Sequence, residues 1–167
     1  KMKKIISDKI IRIVRNKKKL EKVLNLKITN RGKEVYLQGE ATDEYIGEKV
    51  IDAINFGFPI SYAIEIKERD LTFEILNIKE YTRRKDLASV RARIIGKEGK
   101  TLQTLHKLTK CYFELKDNEV GIIGNPEYIE NAQNAAISII QGSKQTNVYS
   151  FLEKHQVQHV EDLGLKE

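Results

Sequence analysis

The chain repeats itself. Gly39 to Gly57 and Gly124 to Gly142 bracket segments of equal length, 85 residues apart. Each segment carries an apolar stripe at helical spacing, Ile46, Val50 and Ile54 in the first and Ile129, Ala132, Ala136 and Ile140 in the second. The same shift lays Val35 and Leu37 over Val120 and Ile122, which alternate as strand residues do. It lays Leu20 and Val23 over Leu105 and Leu108 on a preceding helix, and Ile28 over Phe113. Helices and strands that recur in one order at one offset predict two copies of an α+β module, joined around residues 58–70. At 167 residues, 40% of them apolar, the chain is long enough for two small cores.

The second copy is the more legible. Leu71 to Ile78 reads as a strand with apolar residues at 71, 73 and 75. Thr82 is a residue that can cap a helix containing Leu87, Val90 and Ile94. Leu102, Leu105 and Leu108 mark the next helix. Residues 111–115 and 120–123 make a hairpin through Lys116-Asp117-Asn118-Glu119, with Phe113 facing the core and Tyr112 the other side. Asn125 is a natural cap, with Pro126 at the first helical position, and the last long helix stops near Gly142.

Between the two helices of this copy stands Ile95-Gly96-Lys97-Glu98-Gly99. Glycines at Gly96 and Gly99 permit backbone angles that other residues resist and let a nucleic-acid backbone approach the peptide. The following helix, from Lys100 and Thr101, turns its first N–H groups toward an anion. Helix, G-x-x-G turn, helix, two strands and a closing helix is the order of a KH module, which grips about four single-stranded nucleotides at that turn. In this reading Lys97 and Lys100 pair with phosphates and Glu98 points to solvent. One of Ile94 and Ile95 enters the core while the other lines the base groove, and Ile95 is taken as the candidate RNA contact. Arg91 and Arg93 reach phosphate or stack on bases. Arg83, Arg84 and Lys85 sit at the helix start against its dipole, as residues serving an external anion would.

The first copy has no such turn. The offset sets Ile11-Arg12-Ile13-Val14 against the glycine loop, and a small gap would set Arg15-Asn16-Lys17-Lys18 there instead; neither contains glycine. Arg12, Arg15, Lys17, Lys18 and Lys19 can still attract RNA. A structural role beside the second copy is the favoured reading.

Charge follows the same division. Residues 1–27 hold eleven Lys or Arg against Asp8 and Glu21, and residues 79–110 hold ten against Glu80, Asp86 and Glu98. Residues 111–167 hold four against nine acids. The net +6 is therefore two basic blocks, one of them around the glycine loop, and such blocks attract phosphates by a salt-sensitive term. Cys111 is the single cysteine, which excludes an internal disulfide and fits a reducing cytosol. No apolar run approaches the length of a membrane helix, and the basic N-terminus lacks the apolar region of a signal peptide.

From Leu71 onward the chain resembles an archaeal KH protein family related to the eukaryotic small-subunit assembly factor Partner of Nob, the Pno/Dim family. The matching residues run from Arg91 to Thr101, then Leu108-Thr109, then Val120 to Glu127, Gly142, and Val148-Tyr149-Ser150-Phe151-Leu152-Glu153. Ala53 to Phe58 fits as well. The resemblance implies two KH modules that bind single-stranded rRNA near the 3′ end of 16S rRNA during assembly. It further implies contact with the PIN-domain endonuclease that trims that end and with translation initiation factor two. It also implies that one module binds RNA while the other packs beside it.

The expectation is an α+β chain of two tandem type I KH-like modules, each a three-stranded sheet packed by three helices. Residues 1–70 form a degenerate module, 71–153 the module with the glycine loop, and 154–167 a tail. A cytoplasmic RNA-binding assembly factor without cofactor, metal or catalytic site is the function expected. No Walker loop, H-E-x-x-H or nucleophile elbow is present. His155 and His159 stand four apart, an incomplete metal site with only Glu161 or Asp162 in reach, and His106 reads as structural. The rivals are a KH-fold protein scaffold, a translation or RNA-decay accessory factor, and a metal-dependent ribonuclease.

Overall fold

The structure, a computed structural model, describes residues 2–156. Its contacts divide the chain between Glu74 and Ile75 into two compact units. The first runs β1 (Met2–Ile6), α1 (Ile10–Arg15), α2 (Lys17–Leu24), β2 (Lys27–Arg31), β3 (Glu34–Gln38) and α3 (Ala41–Phe56), followed by the short helices α4 (Ile60–Ala63) and α5 (Glu65–Glu68). The strand β4 (Thr72–Asn77) crosses the division, and the second unit continues with α6 (Leu87–Ile95), α7 (Lys100–Thr109), β5 (Tyr112–Lys116), β6 (Glu119–Gly124), α8 (Pro126–Ile140) and α9 (Gln145–Lys154). The sheets are three-stranded and ordered alike, β1-β3-β2 and β4-β6-β5.

The 85-residue shift holds in detail. In the first hairpin Ile28 faces Leu37, and in the second Phe113 faces Ile122. The helix before each hairpin ends on a left-handed residue, Asn25 at φ 56° and Lys110 at φ 60°. Each hairpin turns on another, Gly32 and Asp117. Gly39 and Gly124, which close the two hairpins, each admit a neighbour where a side chain would stand. A Cβ on Gly39 would lie 2.6 Å from Leu26 Cδ2, and one on Gly124 would run into the Cys111 thiol. Leu26 and Cys111 are themselves shifted by 85.

Periodicity explains the cores. Leu20, Leu24, Val35, Leu37, Val50 and Ile54 are buried in the first unit, and Ile94, Leu105, Val120, Ile122, Ala132, Ala136 and Ile140 in the second. Each such large side chain is worth about 1.5–3 kcal/mol when removed from water. Asn125 accepts a hydrogen bond from the Glu127 N–H at 2.9 Å with Pro126 at the start of α8, as the sequence predicts.

Three expectations change. In β4 the second core takes Leu76, and Ile78 just beyond it, while Ile75 is 46% exposed, so the strand's other face points inward. The alternation misled because Leu71 and Phe73 belong to the first unit, where the Phe73 ring packs edge-on against Phe56 and Phe58, 5.8 Å from each. Residues 58–70 are not a bare connection: Phe58, Ala63, Ile64 and Ile66 are buried beside α3. Thr82 does not cap a helix. Its hydroxyl accepts from the Arg84 N–H at 3.2 Å in a turn, and α6 is capped by Asp86, whose carboxylate accepts from the Ser89 N–H.

Candidate nucleic-acid interface

The helices α6 and α7 are joined by Gly96, Lys97, Glu98 and Gly99, and three of these four have positive φ: Gly96 at 77°, Glu98 at 55° and Gly99 at 77°. The Gly96 N–H closes α6 on the Ala92 carbonyl at 2.8 Å, and the Gly99 N–H returns to the Gly96 carbonyl at 3.1 Å.

The two glycines meet different demands. A Cβ on Gly96 would run into the Thr101 side chain and lie 2.6 Å from the Thr101 backbone nitrogen. Close packing therefore demands glycine there. A Cβ on Gly99 meets nothing within 4 Å. Only its backbone angle demands glycine, and the space in front of it is open to a ligand. Glu98 holds a left-handed conformation that costs a side-chain-bearing residue about 1–2 kcal/mol. The loop is thus a fixed turn rather than a slack one.

Lys97, Glu98 and Lys100 are exposed around this turn, and Ile95, immediately before it, is 39% exposed while Ile94 is fully buried. Among the described residues neither Lys97 nor Lys100 has an ion-pair partner. Two uncompensated ammonium groups, an apolar side chain and an open glycine backbone therefore share one edge. Phosphate, base and sugar-phosphate backbone would each find a suitable group there.

Other candidates are placed differently. Thr101 is 5% exposed and lies behind Gly96, so its side chain supports the turn and is withheld from a ligand. Arg91 donates to the Asn118 side-chain carbonyl at the tip of the β5–β6 turn, and Arg93 donates to the Ser143 carbonyl between α8 and α9. Gln145 adds a 3.4 Å bond to the Arg93 carbonyl. Both guanidiniums tie α6 to the body of the unit, leaving their remaining N–H groups for a ligand. Arg83, Arg84 and Lys85 precede the Asp86 cap, so they lie on an exposed loop and not on the helix. Their charges stand just outside the positive end of α6 rather than on its first turn.

In the first unit the corresponding junction is one residue, Asn16, between α1 and α2. Its φ is −110°, and its side chain donates to the Arg12 carbonyl at 2.8 Å. Arg12 itself donates to the Phe58 carbonyl at 3.2 Å. Arg15 and Lys18 are exposed and Lys17 half-buried.

Around the second hairpin, His106 bonds the Cys111 carbonyl through Nδ1 at 2.8 Å and stacks on Tyr112 at 5.2 Å. It secures the turn into β5. Burial pushes the Cys111 thiol up to about 11, which keeps it protonated and unreactive. His155 bonds the Phe151 carbonyl, and His159, Glu161 and Asp162 lie outside the described residues. Among the described residues no group of three or more His, Cys, Asp or Glu comes together to hold a metal ion. Among them no helix is long and apolar enough to cross a membrane.

The supporting roles of Asn118, Ser143 and Gln145 escaped sequence reading. Their partners lie 27 to 52 residues away, and no local pattern announces such bonds.

The family model described as eukaryotic type KH-domain (KH-domain type I), that of the second KH domain of Pno1, matches residues 72–157. The chain belongs to the Pno/Dim family. A pre-rRNA-processing protein pno1 from Aspergillus fumigatus is 31% identical over 143 residues, covering 81% of this chain and 56% of its own length. The crystal structure of Dim2p from Pyrococcus horikoshii superposes with a TM-score of 0.84 at 27% identity, covering 93% of this chain and 99% of that one. A structure of an a/eIF2alpha-aDim2p-rRNA complex from the same organism matches with a TM-score of 0.82 at 27% identity, over 92% of this chain and 93% of that one. The chain spans about half the length of the curated relatives it matches. The Pno/Dim match covers β4 through α9, the part of the chain that contains the glycine turn.

Proposed function

We propose that this Pno/Dim protein is an RNA-binding factor of small ribosomal subunit assembly. Its second unit clamps single-stranded rRNA near the 3′ end of 16S rRNA and assists maturation of that end without catalysing a reaction. The observation that carries the reading is the turn at Gly96–Gly99, with open space before Gly99 and unpaired Lys97 and Lys100 beside it. Ile95, Gly96, Lys97, Gly99 and Lys100 form the contact. Glu98 shapes the turn, Arg91 and Arg93 orient α6, and Arg83, Arg84 and Lys85 draw in phosphate from the exposed loop. Domain limits of 1–70, 71–153 and 154–167 suit this division of labour. The first domain is then a KH-like unit without a backbone clamp, and both are of the type I kind.

The relatives' descriptions supply the setting. One is a pre-rRNA-processing protein, and another was captured with rRNA and a/eIF2alpha. On that basis the partners are rRNA, translation initiation factor two and a PIN-domain endonuclease, in the cytoplasm. Fluorescence anisotropy with an oligonucleotide from the 3′ end of the organism's 16S rRNA, beside a scrambled control, tests the reading. It expects tighter binding to the native sequence. Failure to bind either oligonucleotide leaves a KH-fold protein scaffold instead.

A further inference from the structure

The helix α9 is bonded to both helices that flank the glycine turn. Val148 and Leu152 seat it in the core of the second unit. A glutamine flanks it at each end, Gln145 as its first residue and Gln156 two residues past its last. The Gln145 amide donates to the Arg93 carbonyl and the Gln156 amide to the Leu108 carbonyl, each at 3.4 Å. Those carbonyls belong to the last turns of α6 and α7, the two helices that the glycine turn joins or precedes. The last turn of a helix leaves carbonyls without partners inside the helix. One helix therefore caps both of these ends from outside.

The turn cannot supply such a cap to α6 itself. Gly96 and Gly99 have no side chain, and Glu98 carries an acceptor that cannot donate to a carbonyl when ionised. In the first unit the junction caps its own helix: the Asn16 side chain donates to the Arg12 carbonyl, in the last turn of α1. An open glycine backbone gives up that local cap, and α9 replaces it from 52 residues away.

The 85-residue shift separates this role from general packing. It lays α9 over α4 and α5. It also lays the Ser143 carbonyl, which Arg93 holds, over the Phe58 carbonyl, which Arg12 holds. Both units secure their first helix by an arginine in this way, so that tie serves the fold. The glutamines are not repeated. Ile60 stands at the position of Gln145 and Leu71 at that of Gln156, and neither side chain can donate. Of the two units, the one with the glycine turn has the amide caps.

We propose that Gln145 and Gln156 are positioning residues for RNA binding. They fix the ends of α6 and α7 so that Gly96–Gly99 keeps the backbone conformation a nucleic-acid strand meets. They act through the turn and not by touching the RNA. A turn already held in its binding form spares the complex the cost of ordering it. The inference rests on the reading that this turn binds RNA.

The test uses the full chain and the variant Gln145→Met with Gln156→Met. Methionine keeps an unbranched, flexible side chain of similar length and removes the amide donor. Two quantities are measured: hydrogen exchange of the Gly96 and Gly99 amides in the free protein, both of them hydrogen-bonded at the turn, and affinity for the 16S 3′-end oligonucleotide. Ile139→Val, a change in the buried core of the same unit that alters neither cap, is the control for general loosening. The expected result is amide exchange about tenfold faster and RNA binding about fivefold weaker in the methionine variant, as befits the loss of weak hydrogen bonds. In Ile139→Val both stay within about twofold of wild type. Unchanged affinity in the methionine variant overturns the proposal, whether or not the amides exchange faster. An equal response in Ile139→Val overturns it in favour of packing alone. Absence of binding by the wild-type protein would instead fail the RNA clamp, and the exchange rates would still decide whether the glutamines hold the turn.

Discussion

The two units share a scaffold and differ at one joint. The hairpins pair in the same register, the left-handed ends of α2 and α7 coincide at Asn25 and Lys110, and Gly39 and Gly124 yield space to Leu26 and Cys111. These are requirements of packing, and both copies meet them. At the junction of the first two helices the copies part. The first makes the turn with Asn16 alone, and the second with Gly96 to Gly99, including a left-handed Glu98. A packed core has no need of such a turn, since the first unit closes its core without one. What the difference teaches is that the second turn is not a requirement of packing and is the place to look for a ligand, while the features common to both serve the fold.

The largest effect expected of a single change is at Gly96. Gly96→Ala places a methyl group against Thr101 and adds the cost of a positive φ, for a total of about 3 kcal/mol. Thermal unfolding should show the second unit melting earlier, and RNA binding should fall with it. Next come the matched glycines. Gly124→Ala should destabilise the second unit by about 2 kcal/mol because Cys111 is short and its Cβ would lie only 3.1 Å away. Gly39→Ala should cost less, because the end of Leu26 can swing aside. Equal losses measured in denaturant would break the comparison of these two positions.

Gly99→Ala separates ligand from fold. Open space surrounds that position, so only the backbone angle, about 1–2 kcal/mol, opposes the change. RNA affinity should drop about tenfold while the protein remains folded at ordinary temperature. A smaller effect concerns Cys111. With its thiol raised to about 11 by burial, against 9.0 ordinarily, the unfolded chain loses that proton first as pH rises from about 9 to 11. Stability from this group is full below pH 9 and declines across that window. Comparing unfolding of wild type and Cys111→Ala across the window isolates its share. Smallest of all, Glu98→Gln should leave RNA affinity within about twofold, because this side chain is exposed and, in this reading, points to solvent while its backbone shapes the turn.

Much of this was legible from sequence because it is local or periodic. The hairpins, the Asn125-Pro126 start of α8 and the stripe through Ala132 and Ala136 follow from alternation, capping and helical spacing. The glycine turn was legible not from two glycines three apart, which mean little alone, but from the helix, two strands and closing helix that follow it in order. Errors arose where distant residues decide. Leu71 and Phe73 looked like one face of a strand in the second copy, yet the Phe73 ring packs with Phe56 and Phe58 of the first unit. Arg91 and Arg93 read from sequence as RNA contacts alone, and their bonds to Asn118 and Ser143, far along the chain, give them a packing role that no local pattern announces. Thr101 looked available because it follows the loop; the close approach of Gly96 buries it.

The central claim is that the turn at Gly96–Gly99 holds the RNA backbone. The most direct measurement is the affinity of the full chain for a 3′-end oligonucleotide before and after Lys97→Asp with Glu98→Asp, at near-physiological salt and with thermal unfolding recorded alongside. The exposed positions of both residues predict an unchanged melting temperature, and the added negative charge at the open turn predicts at least tenfold weaker binding. Unchanged affinity in a folded variant would contradict the account and place the RNA, or the biological partner, on another surface.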